Sequence, residues 1–199
     1  GQLAELDGLV QVDDDFQPTV DAFRWDGVRQ GSGPLYGVPK DFTTLGFYYN
    51  KSLFDRAGID YPSDDWTWDD FIAAARAIAS LDEGTTGAEI VTWDFVLRAM
   101  LWTEGTDILD ADGQLVTDDP KLKATLDRLR SWRFDEEGTL LGAEAEGLDP
   151  SSLFLTGRLG MVGPFGRWVV PSYREIPPPS EGGFEWDFAP LPRGSVRAN

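Results

Sequence analysis

Between Thr43 and Asn50 the chain reads Thr-Thr-Leu-Gly-Phe-Tyr-Tyr-Asn, with no charged residue. A run this aromatic and β-branched predicts a strand inside a well-covered sheet. Helical patterns that could cover it follow at once. Ser52–Ala57 predicts a short helix stopped by Gly58, a residue suited to the left-handed position beyond a helix end. Thr67 is placed as an N-cap with Asp70 three residues on, close to a capping box. Trp68, Phe71, Ile72, Ala75 and Ile78 then recur at helical spacing, with Trp68 as a packing anchor.

The same alternation marks the rest of the chain. A helix is expected around Thr19–Arg29 and a turn at Gly31-Ser32-Gly33-Pro34. Ala88–Val91 predicts a short strand, and Phe95–Trp102 a helix ended by Gly105. After a turn at Ala111-Asp112-Gly113, Pro120 opens a helix with Leu122, Leu126, Leu129 and Trp132 on one face. Residues 135–150 are expected to be an exposed loop, and Ser151–Thr156 a short helix. Leu159–Val162 reads as a buried strand, Gly163–Gly166 as a tight turn, and Arg167 as the start of a helical segment. Ile176–Gly183 is too rich in proline for regular structure. Glu185–Pro192 is the last strand. Strands alternating with helices make the class α/β. No GxGxxG or GxxxxGK[ST] follows a strand, so the usual phosphate cradles are absent.

Charge and residue types exclude several chemistries. The net charge is -18 with 17 basic residues, and no basic run could track phosphates. No nucleic acid partner and no anionic membrane surface is therefore expected. There is no Cys and no His, which removes thiol nucleophiles, Cys/His zinc sites and histidine bases. No cofactor and no metal is implied. Asp13-Asp14-Asp15 lacks loop-ligand spacing and reads as a solvated turn or helix start. No apolar run approaches the roughly 20 residues of a membrane-spanning helix. Gly1–Leu6 shows no signal-peptide pattern; the expectation is that a leader was removed or that the chain begins mid-protein.

Three stretches carry a family resemblance. The first is Tyr36-Gly37-Val38-Pro39, then Tyr48–Phe54 and Ala57-Gly58. The second is Trp66-Thr67-Trp68-Asp69-Asp70-Phe71 with Ala73–Ala79 behind it. The third is Phe154–Met161, then Gly166-Arg167-Trp168, then Phe184–Pro192. In this order they resemble the extracellular solute-binding proteins of ABC importers, the maltose-binding-protein-like, carbohydrate type. The resemblance covers nearly the whole chain, which is similar to a central fragment of that family.

The resemblance implies a periplasmic-binding-protein-like type II fold, mainly its second lobe with hinge segments. Residues 1–35 would end the first lobe and residues 36–43 would be the first hinge crossing. Residues 44–188 would form the second lobe, without its C-terminal helices, and residues 189–199 the return hinge and the start of a first-lobe segment. The implied partners are a small-molecule solute, a mono- or oligosaccharide, and the membrane subunits of an ABC permease. A monomer outside the cytoplasm is expected, extracellular or periplasmic, with lipid anchoring as one form of attachment.

A sugar offers apolar C–H faces to aromatic rings and a rim of hydroxyls to polar groups. Trp168 matches the family's Gly-x-Trp position, with a buried core role as the alternative. Asp41, Phe42 and Thr43 follow the hinge, either toward the cleft or as a solvated strand entry. Trp93 and Asp94 lie at a strand-to-helix junction, where ligand crevices of α/β sheets form; Asp94 also suits an N-cap. Arg167 could bond hydroxyls or pair on the surface. Trp25, Trp66, Trp102, Trp132 and Trp186 are assigned to packing. Two other readings stay open: the same fold holding a polyamine or peptide, and a glycoside hydrolase using two carboxylates. Binding is preferred over hydrolysis because no carboxylate pair carries a motif.

Overall fold

The computed structural model describes residues 3–27, 29–40, 42–134 and 149–196. It contains two compact units. The first comprises Gly1–Thr43 with Leu109–Val116, the second Thr44–Ile108 with Thr117–Asn199.

In the first unit, α1 (Gln17–Asp21) is followed by β1 (Arg24–Trp25) and β2 (Gln30–Leu35), paired antiparallel. The helix expected over Thr19–Arg29 therefore ends early, and the turn expected at Gly31–Pro34 is strand instead. The chain reverses sooner, where Asp26 N–H donates to the Arg29 carbonyl at 3.3 Å and Asp26 Oδ1 accepts from Arg29 N–H at 2.7 Å. Asp-Gly is a strong hairpin signal and outweighs the helical pattern. Arg24 ties the unit together through Asp7 and, at 2.8 Å, Asp21. Asp13 accepts at its carbonyl from Phe16 and Gln17, which makes the triple-aspartate run a turn.

The second unit is built on one sheet. Its strands are β3 (Gly46–Asn50), β4 (Thr86–Ile90), β5 (Leu159–Phe165) and β6 (Trp186–Pro190), in the order β4-β5-β3-β6. The β4–β5 pair is parallel; β3 is antiparallel to both β5 and β6. All of β3 and β5 is buried. One core holds Phe47, Tyr49, Ala88, Ile90 and Met161 with α2 (Lys51–Ala57) and α3 (Trp68–Ala79); the other holds Tyr48, Val91, Val162 and Phe165. Alternation along the strands sends neighbours to opposite faces.

Local signals place the helices. Asn50 caps α2 by accepting from Leu53 N–H, and Gly58 ends it at φ +66. Thr67 and Asp70 form the capping box of α3: Thr67 Oγ1 accepts from Asp70 N–H at 3.2 Å, and Asp70 Oδ2 accepts from Thr67 N–H at 2.8 Å. Trp66, Trp68 and Phe71 pack with Phe47, the Phe47–Phe71 centroids 4.7 Å apart, and Trp132 packs on Trp68 and Phe71. Each ring buried this way contributes roughly 1.5–3 kcal/mol. Their polar edges are satisfied: Trp66 Nε1 donates to the Pro190 carbonyl at 2.8 Å and Trp68 Nε1 to Thr103 Oγ1 at 3.0 Å.

Helices α4 (Asp94–Thr103), α5 (Pro120–Phe134), α6 (Pro150–Phe154) and α7 (Val170–Tyr173) complete the unit. On α5 the buried positions are Thr125 and Trp132, and Leu126 is exposed, unlike the expected leucine stripe. Thr125 can be buried because its hydroxyl donates to the Lys121 carbonyl at 2.9 Å. The turn expected at Gly163–Gly166 is largely strand: β5 runs through Gly163 and Pro164 to Phe165. Glycine is required at 163 by close approach, since a Cβ there would meet the Gly46 carbonyl oxygen at 2.6 Å. The expected loop over residues 135–150 falls almost wholly outside the described residues. Ile176–Gly183 is irregular apart from one 3-10 turn, Pro179–Glu181.

Candidate functional site

In a parallel pair, both strands end on the same edge of the sheet. In β4 and β5, Ile90 lies opposite Gly163, and Val91 N–H extends the pairing to the Gly163 carbonyl at 2.7 Å. Beyond that edge β4 gives way to Thr92, Trp93 and α4. β5 gives way to Gly166 and the 3-10 turn Arg167–Val169. Each strand therefore launches one tryptophan from its carboxyl end, the position where α/β sheets form ligand crevices.

Each of the two tryptophans packs against the same buried ring. Phe165 is fully buried, and its ring centroid lies 5.8 Å from that of Trp93 and 6.1 Å from that of Trp168. Trp93 in turn touches Phe95 at 5.9 Å. The two contacts of Trp93 are tilted, with interplanar angles of 48° and 42°, and that of Trp168 is edge-on at 72°. Trp93, Phe95 and Trp168 remain 43%, 48% and 44% exposed. Two half-open indoles on one closed ring, with Phe95 against Trp93, make an apolar patch facing water. Tyr48 holds the turn beneath Trp168 by donating from its hydroxyl to the Gly166 carbonyl at 3.1 Å. Burial raises the pKa of that hydroxyl, so it stays a donor.

Trp93 and Trp168 are thus brought together as ring neighbours of Phe165. Asp94 and Arg167 lie beside them in sequence, both exposed. Asp94 is not the N-cap: α4 starts one residue earlier than expected, and the Trp93 carbonyl accepts the first helical bond, from Leu97 N–H at 2.8 Å. Asp94 sits in the first turn instead, where a carboxylate favours the positive helix end. Phe42 and Thr43 belong to the first unit, where Phe42 is 87% exposed. Asp41 lies outside the described residues.

Sequence reasoning missed Phe95 and Phe165. The Trp-x-Phe spacing at a strand-to-helix junction was a usable signal for Phe95. Phe165 was hidden by the expectation of a turn. Of the tryptophans assigned to packing, Trp66, Trp132 and Trp186 do pack: the first two are buried, and Trp186 donates to the Tyr173 carbonyl at 2.8 Å. Trp25 and Trp102 do not; both are nearly half exposed. Trp102 lies on the outer side of α4, where its N–H is satisfied by Asp107 rather than by the core.

The family model for bacterial extracellular solute-binding proteins matches residues 1–199. An arabinooligosaccharide-binding protein from Halalkalibacterium halodurans is 30% identical over 114 residues, 55% of this chain and 25% of that one. A lactose-binding protein from Rhizobium radiobacter is 32% identical over 102 residues, 48% of this chain and 23% of that one. Among solved structures, an ABC substrate-binding protein from Listeria monocytogenes in complex with cycloalternan superposes with a TM-score of 0.79 at 26% identity. It spans 98% of this chain and 49% of that one. The cyclic alpha-maltosyl-1,6-maltose binding protein from Arthrobacter globiformis gives 0.67 at 26% identity, over 98% and 48%. The α/β fold is of the periplasmic-binding-protein-like type II kind these structures share. The chain spans about half the length of these solved structures and no more than a third of the curated relatives it matches.

Proposed function

The chain belongs to the family of bacterial extracellular solute-binding proteins, and we propose that its ring platform holds a carbohydrate destined for an ABC importer. The observation that carries this reading is the seating of Trp93 and Trp168 on Phe165, with Phe95 against Trp93, at the carboxyl ends of β4 and β5. Half-exposed rings match the apolar faces of pyranose and furanose sugars. Arg167 and Asp94 flank the rings as hydroxyl partners. The oligosaccharide named for the Halalkalibacterium relative and the cyclic sugar of the Listeria complex support the same ligand class.

In this reading the second unit is the core of one lobe, and residues 36–43 and 189–193 are hinge crossings. Closing of two lobes on the sugar presents a surface to the permease subunits. The protein acts as a monomer outside the cytoplasm, with a lipid anchor as one means of retention. Among the described residues no helix is long and apolar enough to cross a membrane. No catalysis is assigned. Glycoside hydrolysis uses two carboxylates, and the ring-bearing segments 91–95 and 163–169 contain one acid, Asp94.

The test is a thermal-shift screen of the full-length protein against mono- and oligosaccharides, with spermidine and short peptides as controls. A sugar that raises the melting temperature is the expected result. Trp168→Ala should abolish that rise while leaving the unliganded melting temperature within a few degrees. A rise with spermidine or a peptide, and with no sugar, would overturn the carbohydrate reading.

A further inference from the structure

The outer face of α4 is unlike an ordinary solvated helix face. Trp102 follows Phe95 by seven residues, two helical turns, so both lie on one side roughly 10 Å apart along the axis. Arg98 lies between them. Its Nε and Nη2 donate to the two oxygens of Asp107 at 2.9 and 2.8 Å, and its guanidinium carbon sits 5.5 Å from the Trp102 ring centroid. Trp102 Nε1 donates to the same Asp107 at 2.8 Å, while the indole stays 47% exposed. The ring is held from its edge and from one face, and the nearest cation is neutralised. Such a ring has already lost the freedom that a ligand would otherwise have to remove.

We propose that the Phe95–Arg98–Trp102 face extends the ring platform and takes the further units of an oligosaccharide whose first units lie at Trp93 and Trp168. This rests on the carbohydrate reading above. Continuity favours it: Phe95 is already part of the ring cluster, through its 5.9 Å contact with Trp93. The chemistry favours a neutral hydroxylated chain. The open indole takes a C–H face. Arg98 and Asp107 offer their solvent-facing edges to hydroxyls that replace water at little cost. A protein partner would have to bury the same ion pair and meet its desolvation penalty.

The experiment is calorimetric titration of the full-length protein with di-, tetra- and hexasaccharides of the malto-, arabino- and galacto-series. In the series that binds, affinity should rise with length. Trp102→Ala should weaken the hexasaccharide three- to tenfold and the disaccharide by less than twofold. Trp102→Phe should restore most of the loss. Arg98→Ala, which frees the indole without deleting it, should weaken the hexasaccharide by a smaller factor, and carries the test if Trp102→Ala fails to fold. Equal effects on short and long sugars, or none, would overturn the extension and leave the platform standing. So would a Trp102→Ala variant that binds every length normally but loses uptake in cells, which would assign the face to a protein partner. No binding by the wild type in any series would overturn the carbohydrate reading and this extension with it.

Discussion

Trp93 and Trp168 share a buried neighbour, Phe165, whose ring lies 5.8 Å from one and 6.1 Å from the other. The floor therefore sets the spacing of the platform. Phe165→Ala leaves a cavity and should cost about 3–5 kcal/mol. Phe165→Leu removes less of the ring volume and should cost less than the alanine. The informative variant is the leucine. It should keep the fold by circular dichroism yet weaken ligand binding several-fold, because both indoles lose their seat. Unchanged affinity in a folded Phe165→Leu protein would show that the floor does not position the rings.

Asp107 supports a pH prediction. The hydrogen bonds from Arg98, then that from Trp102, hold its pKa below the ordinary 3.8, at about 2. A folded-state value below the unfolded one means stabilisation that is complete above the unfolded value. It is lost as pH falls from about 4 through 2. The pair is partly open to solvent, so its worth is limited to about 1 kcal/mol. Urea midpoints of wild type and Asp107→Asn should differ at pH 6 and converge near pH 2. A gap independent of pH would refute the ionic origin.

Gly163 bears on register. Its φ is +149 and a Cβ would lie 2.6 Å from the Gly46 carbonyl oxygen. Gly163→Ala should destabilise by at least about 2 kcal/mol, since the obstacle is backbone in the neighbouring strand. Gly8→Ala, where nothing lies within 4 Å, is the matched control and should be near neutral. Similar chemical-denaturation curves for the two variants would contradict the close approach.

Removing the cap of α3 should cost less. Thr67→Ala deletes the acceptor for Asp70 N–H and should lower stability by about 1 kcal/mol, in the range measured for such caps. Asp70→Asn should cost a fraction of that, because an amide oxygen still accepts from Thr67 N–H. A larger loss for the asparagine than for the alanine would reverse the assignment of the two roles.

The legible parts of this chain were those in which one local signal decides. The Thr67–Asp70 box, the Gly58 stop and the all-buried run through Tyr48 and Tyr49 were read directly from residue type and spacing. Trp93 could be singled out as a candidate by its strand-to-helix junction, and Trp168 by its match to the family's Gly-x-Trp position. Their common contact could not, because parallel pairing joins segments whose adjacency leaves no periodic trace. Gly163-Pro164 misled because glycine and proline mark turns far more often than they mark a strand crossing close to another. The Asp26-Gly27 reversal was overlooked because the flanking apolar residues also fit a helix. Trp102 shows a different limit: tryptophan is normally a core residue, and nothing near it in sequence says that Asp107 will turn its N–H outward.

The parallel pairing of β4 with β5 also bears on when the platform can exist. Trp93 and Trp168 are separated by 75 positions in the chain, so the loop between them must close before the rings can meet. Contacts of such high order form late and depend on the cooperative assembly of the sheet. Amide exchange at Val91, whose N–H reaches across to the Gly163 carbonyl, should then track global unfolding rather than local fraying. The platform is in that sense gated by folding: a chain with only its hairpins and helices made would have the tryptophans but not their common seat.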